Sequence, residues 1–225
     1  MSRQHPHTKL INAAARETLR PLGLLQEGRS RTWLDDQAWW LGIVEFQPSY
    51  WKRGSYLNVG VNWLWNLKDW HSFDFGYRVD EPGRGQMFFE YESDEQFAPL
   101  AHKLAMVAAE RVTHYRQLFP TLEQAAATLK GAVADDLERS LDAGVALGLV
   151  GEANAAAAMF DRYISWFESG EEAEWRSEDD EPLYERARML RDLASDTCAS
   201  RDRIRADVKE TRTLLKLDPD VELPF

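Results

Sequence analysis

Glu45, Asn58, Asn62, Asp74, Arg78 and Glu90 are spaced so that, on paired strands, they share one side of a sheet with Tyr56 at its edge. Carboxylates flanking an arginine and amides can orient a polar ligand. Two of them become an acid and a base where burial splits their pKa values. The same residue types also make an ordinary solvated face of an antiparallel sheet, which needs polar side chains in any case.

Other chemistry lacks the spacing it needs. The histidines are His5, His7, His71, His102 and His114, and no two stand four apart as on a zinc-binding helix. Asp69, His71 and Asp74 have mixed parity at a strand start, so three convergent metal ligands are not expected there. No G-x-x-x-x-G-K-[ST], G-x-G-x-x-G or G-x-S-x-G occurs, and Gly83-Arg84-Gly85 stands between two strands, so no phosphate, dinucleotide or other cofactor site is expected. Cys198, the single cysteine, excludes an intrachain disulfide and reads as a small buried hydrophobe on a long helix.

Binding leaves a clearer trace. Seven of the nine tryptophans fall between Trp33 and Trp70. Trp63 and Trp65 share an apolar parity and read as core, whereas Trp51 and Trp70 stand in loops and are the candidates for contact with a partner. From Glu168 to Glu181 eight residues are acidic and one, Arg176, is basic. This reads as an exposed loop in which Glu171, Glu172, Glu174, Glu178 and Asp179 meet either a basic partner or Arg186, Arg188 and Arg191 of the same chain, adding little to stability.

Strands and helices must position these groups. From Tyr56 to Leu67 the odd positions are Leu57, Val59, Val61, Trp63, Trp65 and Leu67, which is the period of a strand with one dry face. Residues Ala38 to Gln47 are apolar on both parities at first, as a central strand covered on both sides requires. Further strands are expected at Arg31 to Asp35, Phe73 to Val79 and Gln86 to Glu92. Five short strands with short links predict an antiparallel meander, because parallel neighbours need long crossovers. A helix precedes them at Pro6 to Arg20, with His5-Pro6-His7 at a frayed end. Another, over Ser93 to Phe119, opens on a Ser93-x-x-Gln96 capping box. Helices follow over Thr121 to Lys130, Asp135 to Val150 and Glu152 to Ser169, and one long stretch runs on from Pro182 with Leu190, Ala194, Thr197, Ile204 and Val208 on its stripe.

A chain of 225 residues with 44% apolar content can bury a sizeable core. Its formal charge of -11 argues against nucleic acid as a partner. No run is long and apolar enough for a membrane span, and the N-terminal residues lack the apolar block of a secretory signal, so the cytoplasm is the expected compartment.

Two resemblances add to this. Leu19-x-Pro21-Leu22-Gly23-Leu24, the Gly28-Arg29 pair, a Trp-rich strand and the Asn58-x-Gly60-x-Asn62 pattern make residues 16 to 79 similar to the opening of a family of uncharacterised bacterial proteins, a domain of unknown function. That resemblance implies an α+β fold and carries over no catalytic residue. Ala143 to Ile164, with Leu147-Gly148, Glu152-Ala153 and Phe160-x-x-Tyr163, resembles a single tetratricopeptide-type helical hairpin. An ordinary hairpin packed on the sheet domain accounts for the same residues.

The expected architecture is α+β: a sheet domain over 1–119 covered by helices, a helical domain over 120–217 and an irregular tail over 218–225. The expected function is that of a non-catalytic, protein-binding adaptor or neutralising partner. An enzyme or small-ligand receptor built around Arg78 is the alternative.

Overall fold

A computed structural model of the chain describes residues 6–81, 83, 85–134, 137, 139–169 and 180–225. It is an α+β protein whose chain divides into two compact units, Met1–Trp63 with Trp70–Gln117, and Leu64–Asp69 with Leu118–Phe225. The short segment 64–69, expected to continue a strand, thus belongs to the helical unit.

In the first unit, helix α1 (Pro6–Leu19) runs into a 3-10 turn, Arg20–Leu22, which Gly23 ends in the left-handed region at φ 91°. Strands β1 (Leu25–Gln26), β2 (Thr32–Asp36), β3 (Trp40–Glu45), β4 (Gly54–Tyr56), β5 (Asn58–Trp63), β6 (Phe75–Arg78), β7 (Asp80–Glu81), β8 (Gly85–Gln86) and β9 (Phe88–Glu90) follow. The main sheet is antiparallel with the order β1-β2-β3-β5-β6, which is the expected meander with different membership. Its fifth strand is Leu25–Gln26, while Phe88–Glu90 leaves the sheet and pairs with Gly54–Tyr56 in a separate ribbon. The strands are in register along Thr32, Glu45, Asn58 and Arg78.

Both faces of the centre are covered. Every residue of β5 is buried, Asn58 and Asn62 as fully as Val61 and Trp63, so the solvated polar face that alternation suggests does not exist here. At the sheet edge the reverse holds, and Tyr77 of β6, on the supposedly apolar parity, is half exposed. Asp74 decides where β5 stops. Its Oδ2 accepts the Trp63 backbone N–H at 2.8 Å, and the chain then turns through the 3-10 segment Leu64–Asn66. Helix α2 (Asp94–Leu118) opens as expected, with Ser93 Oγ accepting the Gln96 N–H at 3.2 Å, and it buries Phe97, Ala101, Leu104, Ala108, Val112 and Tyr115 at helical spacing. Its end is tied to the sheet by Arg116, which donates to both oxygens of buried Asp35 at 2.9 and 2.6 Å and to the Leu22 carbonyl. That hydrogen bonding raises the Arg116 pKa above its ordinary value. His7 is no frayed end residue: it is buried between the Tyr91 and Phe97 rings.

The second unit holds α3 (Leu122–Ala132), α4 (Arg139–Leu149), α5 (Ala153–Ser169), α6 (Asp180–Leu193) and α7 (Thr197–Leu214). The first of these runs past its expected end at Lys130, so Gly131 lies inside it. Helices α4 and α5 form a hairpin in which a Cβ on Gly144 would sit 2.5 Å from the Phe160 ring, so only glycine permits the approach. The long stretch expected after Pro182 is two helices, because the Asp196 side chain accepts the Ala199 N–H at 3.0 Å and starts a new helix. That restart turns Cys198 out to solvent. The 3-10 turn Leu64–Asn66, part of this same unit, packs on α7. Its Trp65 Nε1 and Asn66 Nδ2 both donate to Asp142 Oδ1 of α4, at 2.9 and 3.0 Å. Residues 218–225 carry no helix or strand, and Asp220 pairs with Lys209 at 3.0 Å.

Candidate functional site

The register row brings together most of the polar constellation. Asn58 Nδ2 donates to Glu45 Oε2 at 2.7 Å and to Gln47 Oε1 at 3.2 Å, while Asn58 Oδ1 accepts from Arg78 Nε at 3.0 Å. Arg78 Nη1 donates to Gln86 Oε1 at 3.1 Å, Nη2 donates to Gln47 Oε1, and the guanidinium lies 4.2 Å from the centre of the Tyr56 ring. One step along, Asn62 Nδ2 donates to Asp74 Oδ2 at 3.2 Å and Ser72 Oγ to Asp74 Oδ1 at 2.8 Å. Glu90 is not part of this group. It belongs to the β4–β9 ribbon and pairs with Lys52 at 3.1 Å.

What the arrangement can do follows from who holds whom. Each Arg78 nitrogen donates to a neutral oxygen, and Glu45 and Asp74 each accept from neutral donors. Nearby Arg31 has its pKa brought down to about 10 by burial, with Glu45 opposing the shift. Substrate recognition by Arg78 would require breaking bonds it already makes to Asn58, Gln47 and Gln86. The group therefore reads as a brace across three strands, and the idea of an acid and base pair around Arg78 draws nothing from this geometry. Among the described residues no three His, Cys, Asp or Glu side chains converge as metal ligands, and His71 instead faces Glu27 at 3.5 Å.

The aromatic residues point elsewhere. Trp63 and Trp65 are fully buried, Trp70 is 46% exposed, and Trp51 is 92% exposed. Beside Trp51 stands Tyr50, 96% exposed, which the sequence reading passed over. Its signal was present, since Pro48 and Gly54 bracket both residues within one loop. The loop is the tip of a hairpin whose base is well held. Pro48 bridges Ser55, the Tyr56 N–H donates to the Gln47 carbonyl at 2.9 Å, and the Tyr91 N–H donates to the Arg53 carbonyl at 2.8 Å. Within it, Ser49 Oγ accepts the N–H groups of Trp51 and Lys52 at 3.2 and 3.4 Å. Trp70 lies apart, in the segment between the 3-10 turn and β6. Glu171, Glu172, Glu174, Glu178 and Asp179 fall outside the described residues. The arginines expected to answer them have partners of their own: Arg186 pairs with Asp207, Arg188 with Glu185 and Arg191 with Asp161.

Gly54 sets the base of the tip. A Cβ there would lie 2.3 Å from the Phe89 carbonyl oxygen, so Gly54→Ala should push β4 from β9 at a cost of about 1–3 kcal/mol. Hydrogen exchange should show faster exchange at the Tyr91 N–H, and unchanged protection there would disprove the role given to Gly54.

Comparison with protein-family models, curated proteins and solved structures finds no match to this chain. Among the described residues no helix is long and apolar enough to cross a membrane.

Proposed function

We propose that this chain is a non-catalytic protein-binding protein of the adaptor or neutralising-partner type, acting in the cytoplasm and meeting its partner through the hairpin tip at Tyr50 and Trp51. The supporting observation is the almost complete exposure of two adjacent large aromatics on a braced loop. Tryptophan and tyrosine are the residues most often found at the energetic centre of protein interfaces, and a rigid presentation lowers the entropy lost on binding. Left in water they contribute nothing to the core.

The test compares proteins co-purified from the native cell with the unaltered chain and with the Tyr50→Ala, Trp51→Ala double variant. Both residues touch solvent almost alone, so the variant should melt within about 0.5 kcal/mol of the original. At least one bound protein should fall by about tenfold or more. An identical set of bound proteins at equal abundance would end the proposal.

A further inference from the structure

Resting on the reading of the hairpin tip as a protein-binding element, we infer that the surface it meets is an apolar slot bordered by carboxylates. Tyr50 and Trp51 project from a convex turn, so their complement is concave, and their ring surfaces require it to be apolar. The border follows from the next two residues. Lys52 and Arg53 are both exposed, and Arg53 forms no ion pair among the described residues. Lys52 pairs with Glu90, the two side chains being 62% and 47% exposed, so water competes for it and a partner's carboxylate can replace it.

The tip is thus a small cationic feature on a chain of net charge -11. Long-range attraction would favour a basic partner, yet contact at the tip would then bring like charges together as water leaves, which is unfavourable. At physiological ionic strength screening acts over about 8 Å, so the charges beside the aromatics govern the contact itself.

The test places p-benzoylphenylalanine at position 50 of the full chain, irradiates the native cell, and sequences the attached segment by mass spectrometry. The same probe is repeated with Lys52→Glu and Arg53→Glu, in lysate at low and high ionic strength. The inference expects attachment to an apolar position with aspartate or glutamate nearby in the partner, and a yield about tenfold lower after charge reversal at low salt, with a smaller difference at high salt. Attachment to a protein segment without carboxylates, or a yield indifferent to the reversal, overturns the charged border while leaving protein binding in place. Attachment to lipid, or none at all, overturns both.

Discussion

Asp207→Ala should cost the helical unit about 3–5 kcal/mol, the loss usual when one partner of a buried ion pair is removed. Asp207 is 1% exposed and holds two arginines, Arg186 at 2.5 Å and Arg203 at 2.7 Å. Arg186 is itself buried, and burial lowers its pKa while Asp207 and, more weakly, Asp142 oppose the shift. Arg186 Nη1 stands against Asp207 Oδ2, and both the charge of Asp207 and its hydrogen bonding compensate the buried guanidinium. Without the carboxylate a guanidinium stays enclosed with little to balance it. Arg203, 40% exposed, can turn to water, but Arg186 cannot. A second variant separates two explanations. Arg186→Met with Asp207→Leu removes both charges at similar volume and should recover most of the loss. Urea titration followed by circular dichroism measures each, and an Asp207→Ala protein as stable as the original would refute the assignment.

Val61→Asp should prevent folding of the sheet unit. Val61 is fully buried at the centre of β5, between Gly42 and Phe75 on the neighbouring strands, and a carboxylate there has no cation within the register row to meet it. An unpaired charge in such a site costs several kcal/mol at least, comparable with the whole stability of a domain. Val61→Ala supplies the control, losing on the order of 2 kcal/mol while still melting cooperatively. A soluble Val61→Asp chain with a cooperative transition would show that the strand is not centred where we place it.

These two sites differ in how visible they were beforehand. Val61 stands in an alternating run, and period two alone put it on a dry face. The polar positions of the same run were harder to judge, because alternation reports residue type and says nothing of what covers each side. Asn58 and Asn62 look like solvent residues and are buried, their amide nitrogens donating to Glu45 of a neighbouring strand, to Gln47 in the loop after it and to Asp74 just before β6. The Asp207 cluster left no local trace at all, since Arg186, Arg203 and Asp207 sit among many charges on helices whose exposed faces are equally charged. Only the pairing of α6 with α7 distinguishes them, and that depends on the break at Asp196, where a capping aspartate overrides a continuous apolar stripe. Glu90 failed for a related reason: parity placed it with Arg78, but β9 pairs with β4, so it belongs to a different sheet. The exposure of Trp51 was legible, as a loop bounded by proline and glycine has no second layer to hide an indole.

The lending of residues 64–69 to the helical unit has a consequence for how the protein is made. On the ribosome, strand β5 emerges well before α4, since Trp65 and its acceptor Asp142 are 77 residues apart. At about 5–20 residues per second, roughly 4 to 15 s of translation separate them. Throughout that interval the nascent chain carries Leu64 and Trp65 with no helix to receive them, and the loop between β5 and β6 cannot take its final course. The sheet unit, although first in the sequence, completes its own connections only after the second unit has been synthesised.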